Sequence, residues 1–350
     1  MSQDVWSERD TSPDAIDAAL RKLLRERHAA NQTLAPARVL NFVVIVDRQW
    51  KGEVSNRLAQ VGRYNASRTV LCAIEEGRET LDARAVIAYE EPTECFGVMR
   101  EEVEIDIGPD HVPRLKTIID PVIVSELPTV LWCPHGHTEA QRALLGLVDV
   151  VLVDSDDEPA KRQALGHSRE LMRSAYVVDL AWLRTMPWRE RLASSFDPAE
   201  RRVELQRINA VAVRHRPEST ASALLLAGWM SSRLEWQPGS LEASKRAGLR
   251  AVCRHGGGEV EVELAPTAQD APGLAGVTVT CADGFSLALD RARGGLCAHR
   301  HSLDGRETTW RVLGASRGEG GILGEGVRQA LLRDPTYGPA LQSAIAFCPP

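Results

Sequence analysis

The stretch VLNFVVIV, from Val39 to Val46, decides the fold class of this chain. It is apolar at nearly every position, whereas a strand with one solvated face alternates between apolar and polar side chains. Strands that are apolar throughout are typical of parallel sheets, which helices cover on both faces. We therefore expect this stretch to be a central strand of a layered α/β domain.

Helical and strand-like segments alternate on the C-terminal side of this stretch. The pattern predicts the helix Val54–Tyr64 and the strands Thr69–Ile74, Val86–Tyr89, Val103–Ile107, Thr129–Cys133 and Val150–Asp154. The strands at Val86 and Val103 are predicted to be antiparallel additions, and VEIDI in the second alternates strictly. Alternation of this kind predicts an α/β fold with a mostly parallel sheet.

The pattern changes in the last third of the chain. Asp283-Gly284 and Asp304-Gly305 each separate two alternating runs, and the triplet Gly256 to Gly258 separates another pair. Asp-Gly is a strong hairpin signal, because a type I′ turn needs positive φ at both central residues. We therefore expect an antiparallel β-meander over Leu249–Leu313. Closing helices are predicted near Glu325–Arg333 and Tyr337–Phe347.

The elements group into three parts. Residues before Ser12 are expected to be loose, and Ser12-Pro13-Asp14 has the order of an N-cap, a first-turn proline and an acidic first turn. A chain of 350 residues exceeds what one hydrophobic core usually serves. We predict a tail with a docking helix over 1–34, an N-terminal α/β domain over 35–176, and a C-terminal α+β domain over 177–350.

Composition bounds the class of protein. The net charge of −6 weighs against a binder of nucleic-acid backbones. No apolar run approaches the ~20 residues of a membrane span, and the polar, acidic start is unlike a secretory signal. The seven cysteines are scattered without a CxxC pair, which suits free thiols in a reducing compartment. We predict a cytoplasmic protein that binds neither nucleic acid nor membranes.

The glycines do not form a phosphate-binding loop of familiar spacing. After the first strand comes Asp47-Arg48-Gln49-Trp50-Lys51-Gly52, where a dinucleotide-binding fold carries G-x-G-x-x-G. The bulky Trp50 stands where backbone would approach a pyrophosphate. The stretch GEGGILGEG, Gly318 to Gly326, has neither a Walker nor a Rossmann spacing and is predicted to be a connector. We therefore predict no bound cofactor.

Two strand ends carry titratable residues. Cys133 to His137 (CPHGH) is the nearest approach to a metal cluster, but it has no fourth ligand at a familiar spacing, so we predict no metal site. The acids from Asp154 to Glu158 are predicted to form a helix N-terminus capped by Asp157. Because no nucleophile elbow or HExxH motif is present, we predict no catalytic residues. The alternative is a sugar-phosphate enzyme or metabolite sensor with its site near Cys133–His137 and Asp154–Asp157.

Four of the eight tryptophans lie in two middle stretches, VVDLAWLRTMPWRERLASSFD (Val177–Asp197) and SALLLAGWMSSRLEW (Ser222–Trp236). Such clusters indicate a core junction or a protein-binding surface. On a helix over Thr220–Trp236, Leu225, Trp229, Ser232 and Trp236 share one face, and we expect that face to be core. Trp188, beside two arginines, has the composition of either a core or an interface anchor.

These stretches identify a family resemblance that runs from about Ala37 to Phe347. The motifs that carry it are PARVLNFVVIV, Tyr64–Thr69 (YNASRT), Leu127–Pro134 (LPTVLWCP), DLAWLRTMPWRERLASSFD and LLLAGWMSSRLEW. Asn65-Ala66 replaces a His-Pro pair of the family, and Cys133 replaces a tryptophan. The chain resembles the OpcA family of glucose-6-phosphate dehydrogenase assembly proteins.

The resemblance implies a non-catalytic protein that assembles or allosterically activates glucose-6-phosphate dehydrogenase in the oxidative pentose phosphate pathway. The dehydrogenase would then be its partner. The residues that we expect to contact this partner, or to shape the contact surface, are Arg68, Trp132, Trp182, Trp188 and Arg189.

Overall fold

The computed structural model describes residues 2–30, 34–36, 38–61, 67–89, 97–244, 248–256, 258–313 and 319–349. The predicted helix end at Tyr64, the Tyr64–Ala66 part of the family motif, Gly257 and Gly318 lie outside these ranges. The chain divides into two compact units. The N-terminal unit comprises Met1–Val153, Ser174–Val178 and Leu323–Leu332, and the C-terminal unit comprises Asp154–Arg173, Asp179–Ile322 and Arg333–Pro350.

The N-terminal unit contains a nine-stranded sheet. Its strands are β1 (Ser2–Glu8), β2 (Leu34–Pro36), β3 (Leu40–Asp47), β4 (Ser67–Ile74), β5 (Asp82–Tyr89), β6 (Gly97–Ile107), β7 (Thr129–Trp132), β8 (Val150–Val153) and β9 (Tyr176–Asp179). Its helices are α1 (Pro13–Ala30), α2 (Lys51–Val61), α3 (Leu115–Ile119) and α4 (Thr138–Leu144). The order across the sheet is β1-β5-β6-β4-β3-β7-β8-β9, with β2 beside β6.

Strand β3 lies inside the parallel part of this sheet, as the apolar stretch predicts. It pairs in parallel with β4 on one side and with β7 on the other. Every side chain from Leu40 to Val46 is buried. The predicted α/β class with a mostly parallel sheet is therefore confirmed.

One predicted antiparallel addition was wrong. Strand β5 is antiparallel to β6, but β6 itself pairs in parallel with β4. Its polar positions do not mark a solvated face, because Lys51 Nζ lies 2.9 Å from a Glu104 oxygen and 2.8 Å from an Asp106 oxygen. A lysine that binds two carboxylates can produce the same alternation as exposure to water.

The expectation of loose residues before Ser12 was also wrong, because Ser2–Glu8 forms strand β1. This strand pairs antiparallel with β5, with Val5 opposite Val86. The open edge of β5 presents backbone donors and acceptors that need partners, and β1 supplies them. Helix α1 begins at Pro13, and its apolar side chains Ile16 and Leu20 are fully buried.

The C-terminal unit contains an eight-stranded sheet and most of the remaining helices. Its strands are β10 (Ile208–His215), β11 (Glu242–Ala243), β12 (Leu249–His255), β13 (Gly258–Pro266), β14 (Leu274–Cys281), β15 (Ser286–Ala292), β16 (Gly295–His301) and β17 (Glu307–Leu313). Its helices are α5 (Lys161–Leu171), α6 (Leu180–Phe196), α7 (Ala199–Arg202), α8 (Thr220–Arg233) and α10 (Tyr337–Phe347); α9 (Glu319–Gln329) contributes residues to both units.

The mostly antiparallel character of this sheet is confirmed, but the meander is interrupted. The order is β11-β12-β13-β10-β14-β15-β16-β17, so β10 lies between β13 and β14. It is parallel to β13 and antiparallel to β14. Strand β10, which precedes the predicted meander in sequence, is therefore inserted between two of its strands.

Both Asp-Gly hairpins form, with a different turn from the one expected. Gly284 has a φ of 96° and Gly305 a φ of 77°, whereas neither aspartate has positive φ. The Gly284 N–H donates to Cys281 O and Cys281 N–H donates to Phe285 O. This is a type I turn followed by a left-handed glycine, the geometry of a three-residue loop rather than the two-residue type I′ loop.

Two helix ends differ from the prediction. Helix α8 ends at Arg233, because Glu235 is left-handed with a φ of 57° and Trp236 N–H donates to Ser231 O. The glycine-rich stretch predicted to be a connector is helical from Glu319. The burial of Ile322, Leu323 and Val327 outweighs the poor helix propensity of glycine.

Among the described helices, none is both long and apolar enough to cross a membrane.

Candidate functional site

Helix α6, in the tryptophan-rich stretch, begins at a buried carboxylate. Asp179 is the N-cap, and its Oδ1 accepts a hydrogen bond from Ala181 N–H at 2.9 Å. Its Oδ2 accepts from Ser155 Oγ at 2.6 Å and from Tyr337 Oη at 3.1 Å. Burial raises the pKa of Asp179 to about 6, and the nearby charges of Asp154 and Asp156 add to this rise.

Asp154, Asp156, Asp179 and Arg184 form what we call the carboxylate cluster of the C-terminal unit. Arg184 donates to both oxygens of Asp154, at 2.7 and 2.6 Å. Asp156 accepts from Ser222 N–H at 3.0 Å, in the first turn of α8, and burial raises its pKa to about 6. Protein donors therefore hold these carboxylates in place, and the cluster is suited to joining α6 to α8.

The prediction that these acids cap the following helix was wrong. Helix α5 begins at Lys161, and its N-cap Ala160 makes no side-chain cap. Asp156 instead caps α8, because it accepts from Ser222 N–H, 66 residues further along the chain. A carboxylate near the first-turn N–H groups of any helix is stabilised by the helix dipole, so the local sequence alone could not identify the helix that it serves.

The predicted residues Trp182 and Arg189 lie together in the C-terminal unit. The Arg189 guanidinium stands 3.4 Å above the centroid of the Trp182 ring. Trp182 Nε1 donates to Asp334 Oδ2 at 2.9 Å, and Arg189 Nη1 lies 3.5 Å from the same oxygen. Burial lowers the pKa of Arg189 to about 10, although Asp334 opposes this shift. Trp182, Arg189 and Asp334 therefore bind one another through an aromatic and an ionic contact.

The other three predicted residues do not join this contact. Trp188 is only 1% exposed, with the Arg291 guanidinium 6.0 Å from its ring. In the N-terminal unit, Arg68 is buried and donates to Glu101 at 2.7 Å. Trp132 is also buried there and stacks with a neighbouring aromatic ring. That these three residues contact the partner or shape the contact surface stays a prediction.

An apolar groove in the C-terminal unit, which we call the α6–α8 groove, lies between the second half of α6 and the end of α8. It has a volume of about 250 Å³. Its apolar lining includes Leu192, Phe196, Ile208, Trp229, Met230 and Leu234. Trp229 is half-buried, and the exposed Ala193, Arg202 and Arg233 stand at its edge.

The groove is the feature that the tryptophan count did not find. Phe196 is held beneath it by the ring of Phe285, with 5.8 Å between ring centroids. Trp229 and Arg233 both line it, as their i, i+4 spacing on one helix face allows. The sequence carries a second indication of the groove, because both tryptophan-rich stretches contribute lining residues. An apolar groove with guanidinium groups at its edge can bind an apolar side chain of another polypeptide.

The strand ends of the N-terminal unit carry a contact between two rings and a histidine–aspartate pair. Trp50, in a short turn after β3, packs against His135 with 4.9 Å between ring centroids. His137 Nε2 lies 3.6 Å from Asp47 Oδ1, and burial lowers the pKa of His137. Within the described residues, Cys133, His135 and His137 do not belong to a group of three close ligand atoms. The two halves of the alternative site, Cys133–His137 and Asp154–Asp157, fall in different units.

Two family models match the chain. Residues 58–170 match the N-terminal domain of a glucose-6-phosphate dehydrogenase subunit, and residues 175–341 match the C-terminal domain of the same subunit. Both distinctive stretches lie in the second match. Among solved structures, an oxidoreductase from Sinorhizobium meliloti is similar in fold, with a TM-score of 0.50 and 9% identity over 89% of this chain and 96% of that one.

Curated relatives come from cyanobacteria and are provisionally named OxPP cycle protein OpcA. The Synechocystis protein is 31% identical over 37% of this chain and 28% of its own length. The Synechococcus elongatus protein is 26% identical over 63% of this chain and 49% of its own length. The chain thus spans less than half the length of these two relatives.

Proposed function

The chain belongs to the OpcA family of glucose-6-phosphate dehydrogenase subunits, and from this membership we propose that it is a non-catalytic subunit. It binds glucose-6-phosphate dehydrogenase through the α6–α8 groove and favours the active state of that enzyme. The observation that carries the proposal is the groove itself, because both distinctive tryptophan-rich stretches form its walls.

The composition of the groove supports a protein partner. Trp229 and Met230 offer the aromatic and thioether surface that is enriched at interfaces, and Arg233 adds a guanidinium at the edge. Binding energy concentrates where one anchoring side chain enters a small apolar pocket. A groove of about 250 Å³ with a mostly apolar lining suits a large apolar side chain of the dehydrogenase better than the charged group of a sugar phosphate.

Buried contacts support the groove by holding its walls. The carboxylate cluster fixes the start of α6 to the start of α8, through Asp154–Arg184 and Asp156–Ser222. A surface that is already ordered loses little side-chain freedom when a partner binds. Trp182, Trp188 and Arg189 would therefore act on the partner indirectly, by positioning α6.

Activation follows if the groove fits one state of the dehydrogenase better than another. A bound subunit can shift an equilibrium only by the difference between its affinities for the two states. Groove variants should accordingly lower binding and activation together. A variant that still bound but no longer activated would place the activating contact outside the groove.

The experiment introduces a charge into the groove without touching the core. Ala193 is exposed and lines the groove, whereas Ala268 is exposed in the β13–β14 connection. We expect A193E to lose co-purification with the dehydrogenase. In its presence the dehydrogenase should turn over glucose 6-phosphate only at the rate that it has without this chain. The matched control A268E should bind and activate like the unaltered chain.

Three results would contradict this function. If A193E and A268E both keep full binding, the groove is not the contact surface. If the purified chain alone converts sugar phosphates, the alternative of an enzyme is favoured. A rise in melting temperature with a sugar phosphate, in the absence of the dehydrogenase, would instead favour a metabolite sensor.

A further inference from the structure

Within the described residues, one group of three side chains has the ligand atoms of a metal site. The Cys281 sulfur, a Glu204 carboxylate oxygen and an Asp283 carboxylate oxygen all lie within 4.8 Å of one another. Glu204 belongs to the short 3-10 turn Val203–Arg207, and the other two belong to the end of β14 and its hairpin turn. None of the three lines the α6–α8 groove.

The backbone around this group is fixed from both sides. Ala282 N–H donates to Arg207 O at 2.9 Å, which ties the hairpin to the 3-10 turn. Cys281 N–H donates to Phe285 O at 2.9 Å, and Phe285 N–H donates to Asp283 Oδ1 at 3.2 Å. The ligand atoms therefore come from two segments whose separation is set by main-chain hydrogen bonds.

One carboxylate oxygen of this group has no hydrogen-bond donor in the described part of the chain. Glu204 is 5% exposed, and its Oε2 is buried with no hydrogen-bond partner among the described residues. Cys281 is 2% exposed, and its thiol donates to the Glu204 carbonyl at 3.4 Å. A buried carboxylate oxygen without a donor costs free energy, and a cation beside it would remove that cost.

One cation already reaches the group. Arg207 Nη1 lies 2.8 Å from Asp283 Oδ2 and 3.6 Å from Glu204 Oε1. Its side chain is 47% exposed, so it can turn into solvent without leaving a buried gap. Arg207 therefore competes with any metal ion for the two carboxylates.

We propose that Cys281, Glu204 and Asp283 bind a thiophilic divalent cation, with zinc as the best match. A thiolate and two carboxylates provide three ligands of the types that zinc accepts, and water completes the fourth position. Binding displaces the thiol proton of Cys281 to solvent as the sulfur–metal bond forms. This site is separate from the proposed partner surface and does not depend on it.

The test uses the full chain after treatment with a chelator. Zinc is titrated by calorimetry, and cadmium is added as a probe whose thiolate complex absorbs in the ultraviolet. We expect one bound equivalent, a cadmium–thiolate band and release of a proton. C281S should remove the band and weaken zinc binding about tenfold or more. R207A should bind zinc more tightly, because the competing guanidinium is gone.

A second cysteine provides the control. Cys297 lies 3.4 Å from His299 Nε2 on β16 and is less buried than Cys281. C297S should keep the full affinity and the band. The proposal is overturned if the chain binds no zinc, if the band follows Cys297 instead of Cys281, or if R207A weakens binding. If C281S fails to fold, D283N and R207A decide the question, since they must change the affinity in opposite directions.

Discussion

The two halves of helix α6 differ in composition and in environment. From Leu180 to Trp188, most side chains are buried, and Trp182 and Arg184 are bound to aspartates. From Leu192 to Phe196, the helix lines the α6–α8 groove. The tryptophans therefore identify the packed half of the helix, while smaller apolar side chains form the surface beside it. Counting aromatic residues locates the region of the groove without locating the groove itself.

The largest expected effect comes from replacing one tryptophan on each side of this division. Trp188 is 1% exposed, whereas Trp229 is half-buried in the groove. W188A should lower the free energy of unfolding by about 3–5 kcal/mol, because it leaves a cavity in the core. W229A should cost less and should abolish dehydrogenase binding. Urea unfolding and co-purification measure the two effects. Equal destabilisation by both variants would remove the distinction between the halves.

The second-largest expected effect is a pH dependence of the free energy of unfolding. It arises from Asp179, at the start of the buried half of α6. Burial raises the pKa of Asp179 to about 6 from its ordinary 3.8, so the folded state keeps this proton to higher pH than the unfolded state does. The free energy of unfolding should fall as the pH rises from about 4 to about 6, by about 1.4 kcal/mol per unit of pKa difference.

D179N removes this titration and keeps a side chain that can cap α6. Its unfolding free energy should therefore fall less steeply between these pH values. The control is D304N in an exposed hairpin turn, which should have the slope of the unaltered chain. If D179N and the unaltered chain have the same slope, Asp179 does not titrate in this range. Asp156, whose pKa burial also raises to about 6, contributes in the same direction in all three proteins.

The smallest expected difference separates two arginines. Arg189 is stacked on Trp182 with its guanidinium 3.4 Å from the ring centroid, and Arg233 is exposed at the groove edge. R189A should cost about 1–2 kcal/mol, because it removes a desolvated cation–π contact and an ion pair. R233A should stay within about 0.5 kcal/mol of the unaltered chain. Thermal unfolding compares them, and a larger loss for R233A would show that the groove edge is structural.

The sequence predicted best where local pattern and tertiary role agree. Strand β3 is apolar and its side chains from Leu40 to Val46 are all buried, and the hairpins form where Asp-Gly interrupts alternating runs. It predicted poorly where a partner lies far along the chain. Asp154 binds Arg184 across 30 residues, and Trp182 binds Asp334 across 152. No local periodicity encodes such pairs, so the carboxylate cluster could not be read from the acids alone.

The same limit explains the errors at both ends of the chain. Strand β1 has little apolar character of its own and forms because β5 offers an open edge. Helix α9 contains several glycines and forms because Ile322, Leu323 and Val327 become buried. In both elements the tertiary environment outweighs the intrinsic preference of the segment. The α6–α8 groove is a third example, because its lining comes from segments that have no shared local pattern.

The position of β10 limits where this polypeptide can be cut. Strands β13 and β14 are consecutive and run in opposite directions, but both are bonded to β10 and not to each other. A fragment that starts after His215 would leave two facing rows of unsatisfied amides and carbonyls, which could close on one another as an ordinary hairpin. Such a fragment would contain a different sheet and not a shortened copy of this one. Expression boundaries for the C-terminal half therefore belong before Ile208.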